Sequence, residues 1–190
     1  MYHSALTKDL PVDKELDYFT DNGNIVFVND ITKNIDIYKW PHIDIIYSEP
    51  AWKLGYEKYR KRANAEMSTY EEYLASIKNL IKTLQKPTIL VTGKHALKTL
   101  EPDGYINIKL NGGEALAMFW SIGMMSIVNT TEELIHELAQ QYKCVLDFSA
   151  GYGNTAMIFK QHGKKFVCSD VNGKCVYVIA KTLMNYKEDK

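Results

Sequence analysis

The stretch that most constrains this chain runs from residue 143 to residue 170. The apolar run Cys144-Val145-Leu146 ends on Asp147, a turn holding Gly151 and Gly153 follows, and a helical pattern over 154–162 leads into a second apolar run, 166–169, that closes on Asp170. Two strands without polar alternation are of the kind covered on both faces, as in a parallel sheet. Parallel neighbours also need a long crossover such as the helix between them. The unit therefore predicts an α/β fold with helices packed on both sides of a sheet.

The rest of the chain extends the same rhythm. A turn at Asp21-Asn22-Gly23-Asn24 enters a buried strand over 25–29, and a second continuous apolar strand follows over 43–47 after a short connection. Residues 1–22 read as a loosely held N-terminal arm. From 68 to 84 the apolar positions Tyr70, Tyr73, Leu74, Ile77, Leu80, Ile81 and Leu84 recur at helical spacing, with Ser68 and Glu71 placed as a capping box. Pro87 ends that helix; a strand is predicted over 88–92 and a short helix over 94–100. Strands over 105–110 and 115–122 flank Asn111-Gly112-Gly113-Glu114 and predict an antiparallel hairpin, which makes the sheet mixed but mostly parallel. Thr131 is placed to cap a helix carrying Leu134, Leu138 and Tyr142, and a last helix spans 174–186.

Composition narrows the function. A chain of 190 residues, 46% of them hydrophobic, is sized for one domain with its own core, so a single domain over 1–190 is expected. Lysine plus arginine and aspartate plus glutamate both number 23, so attraction to a polyanion must come from a local patch. Cys144, Cys168 and Cys175 are odd in number and form no Cys-x-x-Cys pair, which predicts reduced thiols, no disulfide and no zinc site. His136 and His162 lie on or at the end of predicted helices with no partner at metal-ligand spacing. The acidic and polar start and the lack of a long apolar window predict a soluble, cytoplasmic protein.

Open α/β sheets bind ligands at the carboxyl ends of their strands, where the backbone N–H groups of a following helix face the crevice. Gly151 and Gly153 allow close backbone approach there, and Asp147 can hold the turn or meet an ammonium group. Asp170 ends the next strand about 20 residues beyond the turn, where an acidic residue accepts hydrogen bonds from ribose hydroxyls. Taken alone, this pattern also suits an ordinary βα turn with a surface aspartate.

The residues at this turn carry a resemblance. Leu146-Asp147-Phe148-Ser149-Ala150-Gly151-Tyr152-Gly153-Asn154-Thr155 resembles the Asp-Pro-Phe-x-Gly-Ser-Gly-Thr motif of S-adenosylmethionine-dependent amino-methyltransferases that modify adenine N6 or cytosine N4 in DNA. Gly163 to Asn172 is similar to that family's Gly-x-x-Phe-x-Gly-x-Asp-x-Asn. Phe148 stands where the family has proline and Tyr152 where it has serine. Upstream, Glu49-Pro50-Ala51-Trp52 resembles the Asp-Pro-Pro-Tyr or Asp-Pro-Pro-Trp motif that closes a second strand. The acceptor motif precedes the donor motif, as in the permuted, beta-class-like members and in adenosine N6-methyltransferases with a final tryptophan. Glu49 lengthens the carboxylate arm by one methylene, and Ala51 is expected to loosen the turn.

The resemblance implies a three-layer Rossmann-like methyltransferase fold, S-adenosylmethionine as cofactor and an exocyclic amine as acceptor, most directly adenine N6 in DNA. It implies that Asp147, Phe148, Ser149, Gly151, Gly153 and Asp170 hold the cofactor. Glu49 and the carbonyl of Pro50 would accept the amine hydrogens while Trp52 stacks on the base. Lys53, Tyr56, Lys58, Tyr59, Arg60, Lys61 and Arg62 follow at once and read as a basic, aromatic loop suited to phosphates and stacked bases. The short span between the motifs leaves little room for a target-recognition insert, which predicts loose sequence specificity or a partner subunit. Met118, Met124 and Met125 with Phe119 and Trp120 suggest core or a contact between copies of the chain. Two other readings stand beside this one: a catalytically impaired subunit that binds nucleic acid or a partner, and a methyltransferase acting on RNA, cytosine N4 or a small amine.

Overall fold

A computed structural model describes residues 15–40, 42–110, 113–122 and 128–185. Four apolar segments form the centre of the sheet: β3 (Ile45–Ser48), β4 (Thr88–Thr92), β7 (Cys144–Asp147) and β8 (Lys165–Asp170). Almost every residue in them is buried. Outside them lie β1 (Tyr18–Asp21), β2 (Asn24–Val28), β5 (Gly104–Leu110) and β6 (Gly113–Trp120), giving the order β1-β2-β8-β7-β3-β4-β6-β5. From β2 to β4 every pairing is parallel, and the outer pairings at both edges are antiparallel.

Successive side chains of a buried strand point to opposite faces, so each central strand feeds two cores. Ile46, Leu90, Leu146 and Val167 face one helical layer, where Ile77 and Leu80 of α2 (Tyr70–Leu84) pack. Ile45, Ile89, Val145 and Phe166 face the other. There they meet Leu134 and Leu138 of α4 (Thr131–Gln141), Phe159 of α5 (Asn154–Gln161) and Ile179 and Leu183 of α6 (Gly173–Asn185). The result is the three-layer α/β architecture with a mixed, mostly parallel sheet and an antiparallel hairpin, β5 and β6. Full burial of one such leucine or isoleucine stabilises by about 1.5–3 kcal/mol, and Ile77→Ala would forfeit that and leave a cavity.

Several local expectations are corrected. The capping box of α2 is Thr69 with Glu72: Thr69 Oγ1 accepts from Glu72 N and Glu72 Oε2 accepts from Thr69 N. Ser68 instead exchanges a hydrogen bond with the Tyr56 hydroxyl at 2.5 Å. Thr130, not Thr131, caps α4. In the sheet β8 and β7 lie between β2 and β3, an order on which the sequence is silent. Within the arm, Tyr18–Asp21 pairs with β2. Met118 and Trp120 belong to the core, one of the two places expected for them, while Met124 and Met125 lie outside the described residues.

The segment after Trp52, expected as a loop, is helix α1 (Lys53–Arg62). A short helix α3 (Leu97–Leu100) follows β4. The carboxyl ends of β2, β8, β7, β3 and β4 all open on one edge of the sheet, because these strands run in one direction.

Candidate functional site

Along that edge the pairing of β3 with β7 sets the acceptor motif beside the donor turn. Ser48 Oγ donates to Asp147 Oδ1 at 2.8 Å, and Ser149 N donates to the same oxygen at 3.1 Å. Asp147 is buried, and burial pushes its carboxyl up to about 7 despite donors from Thr155, Ser48 and Ser149. Its place is to tie β7 to β3 and to hold the turn, and it does not line the cleft described below.

The turn itself is closed by its backbone: Ala150 N donates to Ser169 O and Gly153 N to Ala150 O. Gly151 and Gly153 both have positive φ, at 51° and 87°, a region that side chains disfavour. Their surroundings differ. A Cβ on Gly151 would meet nothing within 4 Å, whereas one on Gly153 would come within 2.7 Å of Ile179 Cγ1. Gly151 keeps the mouth of the turn open, and Gly153 lets α5 start against α6.

Asp170 is 2% exposed at the end of β8. Its Oδ2 accepts from Gly151 N at 2.9 Å, and its Oδ1 accepts from Asn172 N at 2.9 Å and from the Tyr59 hydroxyl at 2.6 Å. Burial raises its carboxyl above the ordinary carboxylate range, opposed by these donors.

On the acceptor side Glu49 is exposed, and its Oε1 accepts from the Tyr47 hydroxyl at 2.7 Å. Ala51 N donates to the Tyr73 hydroxyl at 3.2 Å, and that hydroxyl also lies 3.2 Å from Ser149 Oγ. The expected loosening at Ala51 is thereby corrected: the N–H that a proline would lack is used. Tyr73 joins the acceptor motif to the donor turn.

A cleft of about 180 Å³ lies between these groups, with Glu49, Phe148, Ser149, Gly151 and Asp170 among its lining residues. Pro50, Trp52, Asp147 and Gly153 do not line it. Trp52 sits at the N-cap of α1 and is 37% exposed as a residue. Tyr73, Asp30 and Ala51 line the cleft and were missed as site residues. Tyr73 was legible only as a core position, although a buried tyrosine hydroxyl needs a partner. Asp30 carries the same signal as Asp170, a carboxylate just beyond a buried strand.

The predicted basic face divides in two. Tyr56 and Arg60 are buried, and Tyr59 is half-buried and turned to Asp170. Arg60 Nη1 and Nη2 lie 3.1 and 2.6 Å from Asp30 Oδ1 and Oδ2, and Arg60 Nε donates to Glu66 O at 2.8 Å. Burial removes Tyr56 and Arg60 from phosphates in solvent, and both line the cleft instead. Lys53, Lys58, Lys61 and Arg62 remain exposed, beside a fully exposed Leu54.

His136 Nδ1 lies 2.9 Å from His162 Nε2, a contact between α4 and the end of α5 that the sequence did not predict. Among the described residues no three metal-ligating side chains gather, the three cysteines are free and buried, and no helix is long and apolar enough to cross a membrane.

Neither family models nor curated protein sequences match this chain. Solved structures do. The crystal structure of M1.HpyAVI superposes with a TM-score of 0.55 at 12% identity, covering 83% of this chain and 97% of the other. TTHA0409 from Thermus thermophilus, described as a DNA modification methylase and solved with S-adenosyl-L-methionine, gives 0.54 at 12% identity over 84% and 93%. The cytosine-N4-specific PvuII DNA methyltransferase gives 0.51 at 11% identity over 88% and 89%. At these identities the likeness is one of architecture, and the chain has the fold that these three structures share.

Proposed function

We propose that this chain is an S-adenosylmethionine-dependent methyltransferase acting on an exocyclic amine of a nucleic-acid base, with adenine N6 in DNA as the first target. The observation that carries the proposal is the meeting of Glu49 of the acceptor motif with Ser149, Gly151 and Asp170 of the donor motif in one cleft. The order of the two motifs along the chain supports a permuted arrangement, and the names of the structural neighbours support DNA as the acceptor.

The donor residues suit a nucleoside in chemistry. Asp170 supplies a buried carboxylate at a strand end, Gly151 leaves open space beside the turn, and Phe148 and Val171 give apolar walls. S-adenosylmethionine supplies an electrophilic methyl on a sulfonium. With it bound, the base nitrogen would take the methyl, the electron pair of the broken C–S bond would remain on sulfur as a neutral thioether, and the proton shed by the nitrogen would pass to solvent. Glu49, at the edge of the cleft, accepts an N–H of the amine and holds the nitrogen lone pair toward the methyl. The carbonyl of Pro50 accepts the second N–H, and the exposed Trp52 ring offers a stacking face outside the cleft. Lys53, Lys58, Lys61 and Arg62 take the phosphates.

Cytosine N4 is the second reading, favoured by the PvuII structure. The deciding experiment incubates the protein with S-adenosylmethionine and unmethylated DNA or RNA and analyses digested nucleosides by mass spectrometry, with Glu49→Ala as control. N6-methyladenine from DNA, lost in Glu49→Ala, is expected. N4-methylcytosine would move the target, and full activity of Glu49→Ala would remove the acceptor assignment. Cofactor binding without any methylated product would favour a binding subunit.

A further inference from the structure

One acceptor position of Asp170, the carboxylate assigned above to the ribose, is taken by a side chain of the protein itself, Tyr59. An ionised carboxylate offers about four acceptor positions, and Asp170 has three filled at hydrogen-bond distance: by Gly151 N, by Asn172 N and by the Tyr59 hydroxyl. A ribose diol that binds through both its hydroxyls needs two. The amides of Gly151 and Asn172 belong to the turn and to the start of α6, so they cannot leave without unfolding the site. Tyr59 can leave, because it belongs to α1, a helix outside the central sheet that packs chiefly against α2 and can shift without unfolding the turn.

The size of the cleft agrees. At about 180 Å³ it falls below the roughly 300–1,000 Å³ of ligand pockets, and three residues of α1, Tyr56, Tyr59 and Arg60, form one of its walls. The ion pair of Arg60 with Asp30, at 2.6 Å with Arg60 nearly fully buried, anchors that wall at one point, about which α1 can pivot without losing the pair.

We propose that Tyr59 is an internal competitor for the ribose site, determining which ligands enter by requiring them to exchange its phenol for a diol at Asp170. The proposal rests on the donor-site reading given above. A ligand that presents two hydroxyls replaces one hydrogen bond with two, whereas a fragment without them gains nothing at Asp170. Entry of the nucleoside moves α1 outward, and α1 also carries the exposed Lys58, Lys61 and Arg62. Donor binding thus repositions the same helix that faces the acceptor's phosphates.

The test compares the full chain with its Tyr59→Phe variant, which keeps the ring and removes the hydroxyl; a cooperative thermal transition in each, lower in the variant by the bond it loses, establishes that both are folded. S-adenosylhomocysteine is titrated calorimetrically into each, and amide hydrogen exchange is followed with and without it. A hydrogen bond to a charged group is worth roughly tenfold to a hundredfold in an equilibrium constant, so Tyr59→Phe should bind at least about tenfold more tightly. In the parent protein the ligand should protect residues 149–153 while speeding exchange in α1, the reverse of the protection that binding ordinarily gives. Equal affinities with α1 unchanged or more protected overturn the role of Tyr59 and leave the donor site standing. Absence of binding in both proteins, with residues 149–153 unaffected, overturns the donor site and this proposal with it.

Discussion

Arg60 separates the two faces of α1 most sharply. As part of a basic run it would be a phosphate ligand, yet its guanidinium is 3% exposed and paired in bidentate fashion with Asp30, at 2.6 and 3.1 Å. Arg60→Met keeps much of the aliphatic stem and removes the charge, together with the guanidinium that lies 5.6 Å from the centroid of the Tyr56 ring. Breaking a buried pair by deleting one partner costs about 3–5 kcal/mol, because the other charge stays behind unpaired. Asp30 is 17% exposed and water partly recovers it, which puts the expected loss near the lower end, about 3 kcal/mol. For a chain of this size a kilocalorie is worth about 2–4 °C, so the midpoint should fall by roughly 6–12 °C. Lys61→Ala provides the contrast: an exposed lysine should change stability by no more than about 0.5 kcal/mol. If it meets a phosphate, it should lower the slope of log affinity for duplex DNA against log salt by about 0.9. Thermal unfolding and fluorescence anisotropy across a salt series read both quantities. An Arg60→Met protein that melts with the parent and loses salt slope as Lys61→Ala does would refute the inward orientation of this helix face.

Two further consequences concern the junction of the motifs. Tyr73→Phe removes the hydroxyl between Ala51 N and Ser149 Oγ; stability should drop by about 1–2 kcal/mol, and kcat should fall while the affinity for S-adenosylhomocysteine holds, so unchanged turnover would deny the bridge. Asp147 has its carboxyl raised to about 7 by burial, so the native state holds its proton where the unfolded chain, at the ordinary value of 3.8, has released it. The stability from that proton is fully present below about pH 4 and is lost as pH rises through 7. Urea unfolding from pH 4 to 8 should show the parent losing stability relative to Asp147→Asn across that window, and parallel profiles would rule the effect out.

The central strands were legible because a strand covered on both faces has no polar alternation, and β3, β4, β7 and β8 are apolar nearly throughout. Their neighbours were not legible. Nothing in the apolar run at 25–28 says that it pairs with Val167 and Cys168 instead of with the strand that follows it in the chain. Helix α1 escaped because its inner face is built of Tyr56, Tyr59 and Arg60, two phenols and a cation in place of the leucines that mark a helical period. The capping box of α2 slipped by one because Ser68-x-x-Glu71 and Thr69-x-x-Glu72 both fit the pattern. What decides is the packing of Tyr70 and Tyr73 against Tyr56, which fixes where the helix begins. The turn was readable down to Asp170, but one partner of that carboxylate, the Tyr59 hydroxyl, comes from a helix more than a hundred residues upstream and leaves no local trace.

Glu49 and Ala51, where the chain departs from Asp-Pro-Pro-Trp, each have a partner that the usual residue would treat differently. The longer arm of Glu49 meets the hydroxyl of Tyr47, two residues back on the same strand face, and the amide of Ala51 meets Tyr73. Restoring the family's proline by Ala51→Pro deletes that amide donor. If the departures were decay, the restored motif should regain rate. If they are a matched set, the variant should lose about 1 kcal/mol of stability with the hydrogen bond, and turnover should stay level or fall, since the acceptor motif loses its tie to the donor turn. Ala51→Pro in the Tyr73→Phe background should then have little further effect, because the bond is already absent. A gain in turnover from Ala51→Pro alone would show that the amide of Ala51 and the hydroxyl of Tyr73 are not coupled to the chemistry.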